Sequence, residues 1–155
     1  MDFLLPDWII VTLLYGLSDF QIKKLQRLQN SAARILTKSS KFDHITPVLY
    51  DLHWLPVKLR IHFKILIITF KAYNGLLPSY INNLICEYRP TRSLRSQNSN
   101  SLETPHIFTS KGENLFSWAG PTLWNKLPLH IRSLNCLTTF KRALKTHIFT
   151  NHFNR

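Results

Sequence analysis

The chain is 155 residues long, 45% apolar, and carries a formal net charge of +12 from 20 Lys and Arg against 8 Asp and Glu. This length fits one domain, and the apolar fraction excludes a disordered composition. The cation excess favours a polyanionic partner, nucleic acid first and an anionic membrane second; the alternative is a solvated basic surface that binds nothing specific.

Residues 1–17 form an apolar N-terminal segment. Its run from Trp8 to Tyr15 is too short to span a bilayer, and no basic region precedes it, so neither a membrane span nor a signal peptide is predicted. The two cysteines, Cys86 and Cys136, are isolated from each other. Together with the missing signal peptide they predict a reducing, intracellular compartment, nuclear or cytoplasmic, and no membrane partner.

Residues 18–38 predict a helix. Ser18 and Gln21 have the spacing of a capping box. Apolar residues at three- and four-residue steps give the segment one apolar face, and its cations lie mostly elsewhere: the apolar positions are Leu25, Leu28, Ala32 and Ile35. The pattern fits a basic amphipathic helix lying along a phosphate backbone. It equally fits an ordinary bundle helix with a solvated outer face.

Residues 41–75 hold the longest apolar run and dominate the chain. Thr46 as N-cap and Pro47 at the first helical position predict a short helix over 47–52. A longer helix over 56–74 is predicted between Leu55-Pro56 and Asn74-Gly75. Strict alternation from residue 57 to 65 favours a strand instead, but strands rarely run this long without interruption. We expect a helix that is largely buried.

The remaining chain predicts further short helices. Residues 78–85 fit one helix, residues 86–105 form a linker loop rich in Ser, Asn and Arg, and residues 106–155 end in a helix over 137–152. Pro121 and Pro128 are expected to divide the C-terminal segment into short turns of helix, with Trp118 and Trp124 in the core. The predicted fold is mainly α, an irregular helical bundle of about four to six helices, with residues 18–85 as its first helical segment.

Motifs along the chain carry a family resemblance. They include FDHITPVL, LHWLPV, KAYNGL, FSWAGPTLWNKLPLHIRS and FKRALKTHIF. In this order they resemble the C-terminal region, thumb or post-palm, of reverse transcriptases from non-LTR (LINE-type) retrotransposons of the CR1/L2-like group. The resemblance runs from residue 15 to 149. It implies a non-catalytic fragment that binds RNA or DNA in its parent polymerase, whose other domains would be possible partners. The alternatives are a structural remnant with no independent function and a co-opted interaction module.

The residues themselves indicate no catalysis. A polymerase needs clustered carboxylates that hold two divalent metals. The family's aromatic-x-Asp-Asp motif is absent, and no two acids are adjacent. Seven histidines and two cysteines have no spacing typical of a metal site. We therefore expect no enzyme activity, no metal and no cofactor.

The predicted site consists of cations that contact phosphates with low sequence specificity. They come from the helix at 18–38, the helix at 56–74 and the linker loop. They are Arg27, Arg34, Lys38, Lys58, Arg60, Lys64, Arg92 and Arg95.

Overall fold

A computed structural model describes residues 15–89, 100–107, 109, 112 and 115–153. These residues contain seven helices and no strand. The helices are α1 (Asp19–Thr37), α2 (Ile45–Asp51), α3 (Val57–Tyr73), α4 (Ser79–Asn82), α5 (Phe116–Asn125), α6 (Leu129–Arg132) and α7 (Leu137–Phe153). The predicted mainly helical, irregular bundle is confirmed. Within the described ranges, no helix is long and apolar enough to cross a membrane.

Helix α3 is the centre of the bundle. It contacts α1, α4, α5 and α7. All six residues from Ile65 to Phe70 are buried, so this part of the helix is enclosed on every side. In its first half the cations Lys58, Arg60 and Lys64 are exposed, and the segment is helical despite its alternating sequence. The predicted buried helix is confirmed, and Pro56 lies at its N-cap.

Aromatic side chains from three helices fill the core beside α3. The rings of Phe70 and Phe140 stack with centroids 4.4 Å apart, and Trp124 lies 5.7 Å from Phe140. The indole of Trp124 donates a hydrogen bond to the carbonyl of Asn100 at 2.8 Å, which satisfies its polar atom in a buried site. Trp124 therefore lies in the core as predicted, whereas Trp118 is only half-buried.

Two predictions based on proline are wrong. Helix α2 begins at Ile45, with His44 at its N-cap, so Thr46 is not the cap and Pro47 is the third helical residue. Proline is tolerated there because the first N–H groups of a helix have no intrahelical acceptor. Helix α5 continues through Pro121. Its buried face there packs against α3, and this tertiary contact outweighs the local break expected from proline.

The apolar face predicted for α1 does not pack into the core. Leu28 and Ile35 are 69% and 76% exposed, while Gln29 and Ala33 are buried. The apolar face is turned away because two glutamine side chains of α1 form hydrogen bonds with the backbone at the start of α3. Gln29 Nε2 donates to the carbonyl of Leu55 at 2.9 Å, and Gln26 Oε1 accepts from the N–H of Val57 at 2.9 Å. The amide side chains therefore set the rotation of α1, and the capping box of Ser18 and Gln21 forms as predicted.

The described ends of the predicted linker are docked on the bundle. Glu87 and Leu102 form an antiparallel bridge, supported by a hydrogen bond from Glu103 N–H to the carbonyl of Cys86 at 2.8 Å. Leu102 is 2% exposed. The two described ends of the loop are therefore held next to each other. Arg92 and Arg95 lie within residues 90–99, outside the described residues.

Candidate nucleic-acid interface

The first half of α3 presents three of the predicted cations to solvent. Arg60 and Lys64 lie one turn apart and share a face of the helix. Lys58 is exposed on a different side. In the part of the chain that the structure describes, none of the three has a carboxylate within ion-pair distance. Their charges are therefore available to an external anion.

One cation of this surface, Lys126, was not identified from the sequence. Lys126 follows α5, and both Lys58 and Lys126 act on the imidazole of His62. The pKa of His62 is lowered by its burial and further by the positive charges of Lys58 and Lys126. The ring of Tyr15 packs beside the imidazole at 5.9 Å. The positive charges of a lysine on α3 and of the residue that caps α5 thus both act on a half-buried histidine, and we call Lys58, His62 and Lys126 the lysine–histidine site.

The packing of α5 on α3 creates this site. Nothing in the sequence around Lys126 relates it to a lysine nearly seventy residues earlier. The signal that could have been used is weak: His62 stands one turn after Lys58 on the predicted helix, so these two share a face. The structure supplies the second lysine. A phosphate bound here would reduce the repulsion between the charges, which gives the arrangement a preference for anions.

The predicted cations of α1 are divided between two roles. Arg27 and Lys38 are exposed and have no carboxylate partner among the described residues. Arg34 instead holds the loop after the helix. Its Nε donates to the carbonyl of Ser40 at 3.1 Å, and its Nη2 donates to the carbonyl of Asp43 at 2.7 Å. The structure therefore gives Arg34 a backbone-binding task that the sequence analysis did not foresee.

An aromatic cluster forms where the ends of α2 and α7 meet. It consists of Tyr50, His53, Phe149 and Phe153. The imidazole of His53 stacks on Phe149 at 5.6 Å with the planes 14° apart, and Tyr50 lies 5.3 Å from Phe149 and 5.5 Å from Phe153. Tyr50 remains 48% exposed. Exposed rings near cations can stack on unpaired bases, although the same contacts also close this end of the bundle.

The thiol of Cys136 is the other chemically distinctive group. It is exposed and free, and it directly precedes α7. Hydrogen bonds from the Thr138 side chain and from the backbone of Thr139 and Thr138 lower its pKa to about 7. Across the described ranges, no three His, Cys, Asp or Glu residues are grouped so as to hold a metal ion.

Comparison with known proteins gives no relative. No family model, curated protein or solved structure matches the chain.

Proposed function

We propose that the chain is the non-catalytic C-terminal part of a LINE-type reverse transcriptase and that it binds the phosphate backbone of RNA or DNA. The ordered motifs between residues 15 and 149 support the family, and the mainly helical bundle is compatible with it. The observation that carries the binding proposal is the lysine–histidine site, where the charges of Lys58 and Lys126 both act on His62 and neither lysine has a carboxylate partner among the described residues.

Phosphate binding at this site follows from electrostatics. Each lysine that neutralises a phosphate releases a condensed counterion, so affinity falls as salt concentration rises. Arg60 and Lys64 extend the positive surface along another face of α3. Contacts of this kind position a protein on nucleic acid without reading its sequence, which fits the low specificity expected.

The aromatic cluster favours single strands within this proposal. Bases are accessible to Tyr50 and its neighbours only where they are unpaired. Stacking contributes about 1–3 kcal/mol per base and is tolerant of sequence. We therefore expect the chain to prefer a single strand to a duplex of the same length.

A salt titration tests the proposal. Fluorescence anisotropy with labelled RNA and DNA strands gives the dependence of log K on log salt, with an expected slope of about 0.7 per phosphate neutralised for single strands. The double variant Lys58→Ala and Lys126→Ala should reduce the magnitude of the slope on single strands by about 0.7 for each lysine that contacts a phosphate. The double variant Lys141→Ala and Lys145→Ala, on exposed positions of α7, removes the same net charge and serves as the control.

Two results would contradict the proposal. One is binding that does not respond to salt. The other is an equal loss in both double variants, which would show a response to net charge alone and no role for the lysine–histidine site.

The exposed apolar side chains of α1 favour a second candidate, an interaction module for another protein.

A further inference from the structure

Helix α1 carries an apolar line that the rest of the described chain leaves uncovered. We call it the α1 seam, and it consists of Leu25, Leu28, Ala32 and Ile35. Leu25 is half-buried, and the other three are exposed. Steps of three, four and three residues place all four on one side of the helix. Large side chains on such a line usually meet another element.

The two borders of the α1 seam differ in charge. One border carries Lys24 and Ser31, and Lys38 follows the last turn as the exposed C-cap residue. The other carries Ile22, Gln29 and Leu36, and Leu36 is 63% exposed. Lys24 Nζ lies 4.5 Å from the centre of the exposed Phe20 ring, so the cationic border also has an apolar side chain beside it. The only acid in α1 is Asp19, in the first turn.

Nucleic acid does not account for this surface. Phosphates bind the cations of the border but do not cover leucine and isoleucine side chains. An α-helix does cover them, because apolar residues three and four apart insert between the side chains of a facing helix. The spacing of the α1 seam therefore indicates a helical occupant.

The charges of Lys24 and Lys38 indicate which kind of partner helix is complementary to the α1 seam. A facing helix places its border residues opposite Lys24 and Lys38, and acidic side chains there are complementary. A second copy of the chain would bring the same lysines and, on α1, no acid beyond Asp19. A membrane-surface helix has a wide apolar face with cations on its polar side, and the vesicle measurement below distinguishes that occupant from a protein helix.

We infer that the α1 seam is a docking surface for an amphipathic helix of a partner protein, with apolar residues at three- and four-residue steps and acidic residues along its border. This surface is separate from the lysine–histidine site. The inference therefore does not depend on nucleic-acid binding.

Synthetic helices test it with the full chain. One labelled peptide, about three heptads long, carries leucine at the seam-facing positions and glutamate along the border that faces Lys24 and Lys38; the control peptide has lysine in place of each glutamate. The acidic peptide should bind and the basic peptide should not. The double variant Leu28→Ser and Ile35→Ser should weaken binding about tenfold or more. Leu129→Ser, an exposed leucine on α6, is the matched control and should bind normally.

Charge reversal gives an independent readout. The double variant Lys24→Glu and Lys38→Glu should reverse the preference from the acidic to the basic peptide, because both substitutions lie on the exposed border. Circular dichroism checks that each variant stays folded. The Leu28→Ser and Ile35→Ser variant should still bind oligonucleotides, so this result separates the docking surface from the proposed function.

Other occupants would give other results, and each would overturn the inference. Equal affinity for both peptides, or none for either, removes the charge-selective helix. Dimerisation in sedimentation runs that the Leu28→Ser and Ile35→Ser variant abolishes assigns the seam to a second copy. Binding to vesicles of phosphatidylglycerol that the same variant abolishes, without binding of the acidic peptide, assigns the seam to a lipid surface.

Discussion

The side chain of Asn125 holds both backbone groups of Leu102. Its Oδ1 accepts from the N–H of Leu102 at 2.9 Å, and its Nδ2 donates to the carbonyl of Leu102 at 2.8 Å. The amide acts as a strand partner would and fixes the returning end of the loop to the end of α5. These two hydrogen bonds satisfy the backbone groups of Leu102. Its side chain can therefore be buried although the loop forms no sheet.

Removing that amide should destabilise the chain measurably. Asn125→Ala removes two partly buried hydrogen bonds to the backbone of Leu102, and each such bond contributes about 0.5–1.5 kcal/mol. Urea denaturation followed by tryptophan fluorescence gives the free energy of unfolding. Asn135→Ala is the control, because Asn135 is exposed and makes no side-chain hydrogen bond among the described residues. Equal stability of the two variants would show that Leu102 is held by burial alone.

The close approach of α5 to α3 gives a second prediction. A Cβ at Gly120 would lie 2.8 Å from Thr69 Oγ1, which is buried and bonded to the carbonyl of Ile65 at 3.0 Å. Gly120→Ala should therefore destabilise the fold by about 1–3 kcal/mol through overpacking, despite the better helix propensity of alanine. In a Thr69→Ala background Gly120→Ala should destabilise the fold less, because Thr69 Oγ1 is no longer present to clash with the new Cβ. Unfolding free energies of the four proteins form a double-mutant cycle, and additivity would contradict the assigned clash.

Local sequence patterns predicted the helices well where the length of a segment and the residues at its start and end both indicated a helix. The long buried helix and the capping box of Ser18 and Gln21 follow from such signals. The rotation of α1 did not follow, because hydrophobic periodicity points Leu28 and Ile35 inward. The bonds of Gln26 and Gln29 to the start of α3 depend on a contact between segments, which no local pattern contains.

The candidate site was predictable only in part. Composition indicated cations on α3, and the structure places Lys58 there with its charge unpaired in the described chain. Composition could not show that the charge of Lys126 acts on His62, since that requires the packing of α5 on α3. Nor could it show that Arg34 binds two carbonyls. The proposed roles in binding remain predictions for all of these residues.

The environment of Cys136 predicts selective thiol reactivity. Its pKa is lowered to about 7 by hydrogen bonds from Thr138 and Thr139, and the thiolate is the reactive form. In a Cys86→Ser background, the rate of alkylation by iodoacetamide should reach half its maximum near pH 7. Unfolding in urea should move this midpoint upward, towards the ordinary value, as the hydrogen bonds are lost. Thr138→Val should move it in the same direction, and an unchanged midpoint in both cases would contradict the assignment.

The lowered pKa of His62 predicts how stability depends on pH. Because protonation is disfavoured in the folded chain, the unfolded chain binds more protons as pH falls through 6.5. The stability that the neutral imidazole provides is complete above that value and is lost as pH falls through the folded pKa. Lys126→Ala removes one of the charges responsible, so it should raise the pKa of His62 and reduce the loss at low pH. Burial is the larger cause, so the recovery should be partial.

The same histidine reports on nucleic-acid binding. A phosphate between Lys58 and Lys126 would offset their charges and raise the pKa of His62. An NMR titration of the imidazole resonances, with and without an oligonucleotide, measures this directly. The change should be smaller in Lys126→Ala, while Lys71→Ala, a lysine near the end of α3, serves as the control. A His62 pKa that stays the same in a saturated complex would place the bound phosphates elsewhere on the surface.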